Sequence, residues 1–224
     1  MSSSTAVRTP ATPVQRPDRT AGACLVLGGV TFFAGGATHP GDSGSGSKVE
    51  QLHEMLVHEM WYPSHALLLV AMVAFAVAIL RLRYRGGLDG AMATVIRVVS
   101  VLAVLAAVGM TLHLFSALGA EAIEDGSKPF IYQVQALNET VVDASWALGI
   151  AALAVAGGLT RTLGNRVTLA LGLVGGLAFS LASATIAYTD RFDGLFPLGS
   201  LIGVWGVVVG LLVLVRHTAG TTVE

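Results

Sequence analysis

Charge is what this chain has least of. Only 12% of its 224 residues are charged, against about 25% in a soluble domain, while 54% are hydrophobic and the mean hydropathy is +0.72. That balance excludes a water-soluble globule. A net charge of −1 removes the electrostatic case for nucleic acid as a partner. Cysteine is nearly missing too. The one residue, Cys24, lies in an apolar run, so neither an intramolecular disulfide nor a CxxC-type metal site can form, and it reads as a small packing side chain. Signature motifs are also lacking: there is no P-loop, GxSxG, HExxH or dinucleotide fingerprint.

What the chain has instead is long hydrophobic runs. A bilayer core about 30 Å thick takes about 20 apolar residues per helix, and six stretches qualify: Ala21–Thr38, Pro63–Leu82, Ala93–Leu118, Val141–Leu159, Val167–Tyr188 and Phe196–Val215. The expected fold is all-α, a polytopic membrane bundle of six transmembrane helices over residues 21–216, set in the plasma or inner membrane. Residues 1–20 are rich in Ser, Thr, Pro and Arg and cannot bury enough surface to fold, so they read as a disordered tail, with 217–224 a second one. A basic segment before an apolar run also fits a cleaved signal peptide. The length of the tail and the weak small-residue site near Ala34 favour retention as a first span.

Arginine sets the orientation. With the N-terminus inside, Arg8, Arg16, Arg19, Arg81, Arg83, Arg85, Arg97, Arg161, Arg166 and Arg216 fall on the cytoplasmic side, leaving Lys48, Lys128 and Arg191 outside. This is the positive-inside signature, and it predicts both termini in the cytoplasm.

Small residues then suggest how helices meet. Gly199, Gly203, Gly206 and Gly210 recur at 4-3-4 spacing in the sixth span, and Gly172, Gly176, Ser180 and Ser183 line one face of the fifth. Such stripes let backbones approach closely in lipid. They predict a tight fifth–sixth pair, or else a seam for a homo-oligomer or a larger membrane complex, with membrane lipids as the remaining partner. Gly28, Gly35 and His39 share a face of the first span, which aims His39 at the bundle.

The segment KVEQLHEMLVHEMWYPSH, after a GDSGSGS loop, predicts an outer interfacial helix over about 48–62 with Val49, Leu52, Met55 and Leu56 on its apolar face. Trp61 and Tyr62 would sit in an aromatic belt. Pro63 suits the start of a new helix. If the helix instead runs on through it, then Glu54, His58, Trp61 and His65 share a face.

Five of the six histidines fall on the outer side. Counting 1.5 Å per residue, His65 lies about 5 Å below the aromatic belt, His113 about 9 Å inside the third span's exit, and Asp143 about 6 Å below Glu139. His39 ends the first span. Four helices therefore each deliver one ionisable group to the same layer, where such groups are costly and mark function by default. Three imidazoles (His39, His65, His113), with Asp143 as fourth ligand or just behind the ligands, make a site for zinc, iron or copper, and Glu139 or Asp143 would take the proton of a metal-bound water. Alternatively His65 and His113 bind a b-type haem as axial ligands. As rivals the sequence allows a small-solute or proton-coupled transporter, with His113 and Asp143 relaying protons, or a structural subunit in which the histidines merely hydrogen-bond between helices. His53 and His58 read as solvated. The paired late-helix histidines of alkaline-ceramidase-like hydrolases have no counterpart here, nor do the inner-side histidines of diheme cytochromes that carry two pairs across the bilayer.

Overall fold

A computed structural model describes residues 18–85, 88, 90–124 and 127–215. Six of its helical segments are long and apolar enough to cross a membrane: Arg19–Ala37, Trp61–Tyr84, Gly90–Glu124, Phe130–Thr160, Arg166–Thr185 and Asp193–Val215. The chain is all-α, with no strand among the described residues. In order, α1 is Arg19–Ala37, α2 Lys48–Leu56, α3 Trp61–Tyr84 and α4 Gly90–Leu114. Then follow α5 Ala120–Glu124, α6 Phe130–Leu137, α7 Ala144–Thr160, α8 Arg166–Thr185, α9 Phe196–Gly199 and α10 Leu201–Val215.

Of the expected tails at 1–20 and 217–224, residues 1–17 and all of 217–224 lie outside the described residues. The helix nevertheless begins inside the stretch read as tail. Asp18 caps α1, its side chain accepting from Ala21 N at 3.1 Å, and its other oxygen receives Arg81 Nε at 3.1 Å. Burial pushes the Asp18 carboxyl up, but the Ala21 N–H and the Arg81 guanidinium outweigh it and hold the group below its ordinary range. Asp18→Ala should cost about 1 kcal/mol in thermal or denaturant unfolding, as loss of an N-cap does. The exposed Arg81 adds little to that, being screened by water.

The six spans form a closed ring. Each packs on the next in sequence (α1 on α3, α3 on α4, α4 on α7, α7 on α8, α8 on α10), and α10 returns to pack on α1. The α4 helix shows how sequence produces this. Met92, Ile96, Val99, Ala103, Ala106, Met110 and His113 recur at alternating three- and four-residue steps and are buried, while Val98, Val101, Leu105, Val108 and Leu112 on the opposite stripe stay half exposed. Both stripes are apolar because one meets protein and the other meets hydrocarbon.

The glycines pair differently from expectation. A Cβ on Gly203 would lie 2.7 Å from Gly29 O, and one on Gly210 would lie 2.7 Å from Gly22 O, so the sixth span's stripe is spent on the first span. Gly176 faces Ala147 O and Ala151 of α7, and Gly172 faces Ala154 and Trp205, so the fifth span's stripe mainly serves the fourth. The fifth and sixth spans do pack together, but their two stripes do not mainly face each other: Gly172, Gly175 and Gly199 make the close contacts between them. Spacing revealed which residues allow contact, but the partner is set by ring closure.

In mid-bundle, Phe32, Phe75, Trp146 and Phe179 interlock with ring centroids 5.6–6.4 Å apart. Such edge and tilted contacts fill the axis with aromatic mass. At the end carrying the histidines, a second apolar cluster of Leu52, Leu56, Trp61, Ala120 and Ile123 joins α2, α3 and α5 into a roof.

Candidate metal centre

Each histidine reaches the site by a different local device. In α1, Gly35 lets the helix press against α3, where an added Cβ would lie 2.9 Å from Ser64 O, and His39 follows just past the helix end. In α3 the chain bends: α2 stops at Leu56, and the new helix starts at Trp61 with Pro63 in its first turn. The alternative of one continuous helix is thereby overturned. Glu54 instead accepts from Ser43 N and Oγ, and His58 stays exposed with Nδ1 accepting from Met60 N. In α4, His113 is the last member of the buried stripe.

The three rings converge. One ligand nitrogen from each of His39, His65 and His113 lies within 4.8 Å of the others. The His65 ring stands 4.7 Å from both neighbours, centroid to centroid. His65 and His113 are buried, whereas His39 is exposed and marks the open side.

Hydrogen bonding chooses the free nitrogens. His65 Nδ1 lies 2.7 Å from Trp61 O, and His39 Nδ1 lies 2.8 Å from Pro40 O. A carbonyl oxygen only accepts, so both rings carry hydrogen on Nδ1 and present a lone pair at Nε2. His113 is turned the other way, with Nε2 3.8 Å from Glu139 Oε1. That leaves His65 Nε2 and His113 Nδ1 buried with no hydrogen-bond partner. Such orphans are rare in folded proteins and call for an explanation. Nitrogens about 2.1 Å from one tetrahedral ion sit about 3.4 Å apart, so binding one ion would draw the three rings closer and turn the stacked His65 and His113 until their in-plane lone pairs meet at it. The donor set fits the group.

The sequence-predicted carboxylates separate. Glu139 lies beside His113, while Asp143 stands outside the histidine cluster and accepts from Asn138 Nδ2 at 3.0 Å. Both belong to a π-helical turn, Asn138–Asp143, inserted between α6 and α7. Such turns recur at functional sites because the extra residue re-aims side chains. Ser183 of α8 pins it by donating to Glu139 O at 2.7 Å, and Gln135 Nε2 lies 3.4 Å from Glu139 Oε1. Gly109, one turn before His113, leaves the space that Asn138 Oδ1 fills, which any added Cβ would overlap. Glu139 also lines a small cavity of about 30 Å³, shared with Asp42, Lys48, Gln51 and Tyr132. By this measure it holds about two waters.

Sequence reasoning missed Trp61. Its indole is 1% exposed, stacks on His65 at 3.8 Å and on His113 at 5.3 Å, and donates from Nε1 to Leu114 O at 3.2 Å. It is the ceiling of the site, and the aromatic-belt role passes to the half-exposed Tyr62 alone. The available signal was its spacing: Trp61 precedes His65 by one helical turn.

No family model, curated protein sequence or solved structure matches this chain.

Proposed function

We propose that this chain is a membrane metalloprotein holding a transition ion through His39 Nε2, His65 Nε2 and His113 Nδ1. The observation that supports this most strongly is the pair of orphaned, buried imidazole nitrogens within a cluster of three histidines whose ligand atoms lie within 4.8 Å of one another. Three imidazoles suit zinc, iron or copper and leave a coordination position for water or substrate, whose acidity the ion would raise. Glu139, 3.8 Å from His113 Nε2, is the nearest base for a released proton, with the adjoining cavity as its link to water. Asp143 supports the π turn through Asn138. By the arginine bias, the site faces the extracytoplasmic side of the cell membrane and both termini are cytoplasmic.

Geometry disfavours the other readings. A haem would need the two rings on opposite sides of its macrocycle, whereas the His65 and His113 centroids stand only 4.7 Å apart, too close to admit it. A relay or transport path would need polar groups continuing along the axis, and the aromatic plug of Phe32, Phe75, Trp146 and Phe179 occupies it.

The test is elemental analysis and an absorption spectrum of protein purified without chelators or nickel. About one equivalent of zinc, iron or copper is expected. A Soret band, or no stoichiometric metal, would overturn the proposal. Glu139→Gln keeps the shape but removes the charge behind His113, and metal affinity measured by competition with a chelating dye should fall about 10–100-fold.

A further inference from the structure

At the opposite end of the bundle the chain builds a second polar feature. Between the last turns of α3 and the first turns of α4 lies a cavity of about 270 Å³ lined by Arg83, Tyr84, Leu88, Ala93, Ile96 and Arg97. Its two guanidiniums are each held by a hydrogen bond. Arg83 Nη1 donates to Ser100 Oγ at 2.7 Å and its guanidinium sits 5.4 Å from the Tyr84 ring centroid, while Arg97 Nε donates to Ala93 O at 3.1 Å. Among the described residues no carboxylate pairs with either. Arg81 nearby differs, being engaged by Asp18.

Position supplies the rest of the case. The cavity sits where two spans leave the apolar region. Leu88, Ala93 and Ile96 offer hydrocarbon next to the cations, and half-exposed Val98 and Val101 continue that surface along α4. A ligand matching this surface carries a phosphate at one end and an acyl chain at the other. We propose that the groove between α3 and α4 is a binding site for an anionic phospholipid, with Arg83 and Arg97 gripping the phosphodiester and the acyl chain lying along α4. Guanidinium forks match phosphate oxygens in both geometry and charge, and basic pockets between spans on the cytoplasmic side favour anionic headgroups. The proposal is independent of the metal centre.

The test is native mass spectrometry of the full chain released from mixed phosphatidylglycerol–phosphatidylcholine nanodiscs. Each basic side chain near an anionic headgroup is worth about five-fold in affinity, so retained phosphatidylglycerol should exceed phosphatidylcholine by about 25-fold. Arg83→Gln with Arg97→Gln should erase that preference, while Arg166→Gln, an exposed arginine at the same end of the bundle, should leave it intact. Equal retention of the two lipids by the unaltered protein would overturn the proposal, as would unchanged selectivity in the double variant. Loss of bound phosphatidylglycerol on adding millimolar inorganic phosphate would also overturn it, assigning the groove to the free ion. The unaltered protein decides two of these arms even if the double variant does not fold.

Discussion

Under the proposed ligation, His65→Ala should abolish metal binding. Of the three imidazoles, His65 is the middle one, 4.7 Å from each neighbour, fully buried and already holding its hydrogen on Nδ1 toward Trp61 O. Losing a residue that merely supports a ligand costs about 10–100-fold in metal affinity, so losing a ligand costs at least the upper figure. That loss has a stability equivalent. A metal at 1,000 times its dissociation constant stabilises the folded state by about 4.1 kcal/mol, and after a 100-fold weakening the same concentration gives only about 1.4 kcal/mol. Unfolding of apo and metal-loaded protein, compared for the parent and the variant, reads both numbers. A histidine kept only for packing would instead lower the stability of the apo protein and leave the metal-dependent increment unchanged. That second pattern would refute the ligand assignment.

Gly29→Val should open the ring. A Cβ at Gly29 would lie 2.7 Å from Val207 N and still closer to Gly203 O, so it meets backbone that cannot swing aside. Overpacking in a close-packed interior costs about 1–3 kcal/mol where side chains can yield. Here the loss should reach about 3 kcal/mol or more, because two helix backbones must part. The α1 helix also leads to His39, so the variant should bind metal more weakly as well as unfold earlier. Gly36→Ala is the control, since a Cβ there meets nothing within 4 Å, and it should fall within about 0.5 kcal/mol of the parent. Equal stability of the two variants would mean that the α1–α10 seam is looser than described.

The spans and the height of the histidines were legible because both are one-dimensional properties. Apolar run length and rise per residue fix where along the axis His65 or His113 sits, and that reasoning brought His39, His65 and His113 to one layer. Lateral arrangement is not written in the same way. A glycine stripe states that a backbone comes close without saying which, so Gly203 and Gly210 were given to the wrong neighbour until ring closure assigned them to Gly29 and Gly22. The π turn at Asn138–Asp143 was also hidden. It depends on Ser183 reaching in from α8 and on room beside Gly109, both tertiary facts, and it is why Glu139 and Asp143, one turn apart in sequence, end in different surroundings. Trp61 was read from its type as an interfacial residue, when its place one turn before His65 was the better guide.

Ring order also has a consequence for biosynthesis. All three imidazoles are encoded by His113, whereas the helix that seals the bundle ends at Val215. At translation speeds of about 5–20 residues per second, the ribosome needs roughly 5–20 s to make the intervening stretch. During that interval the nascent chain already carries all three imidazoles of the site but not yet the closing helix. Under the proposed ligation, an ion can therefore be captured by a half-built protein, and the later helices would lock it in place.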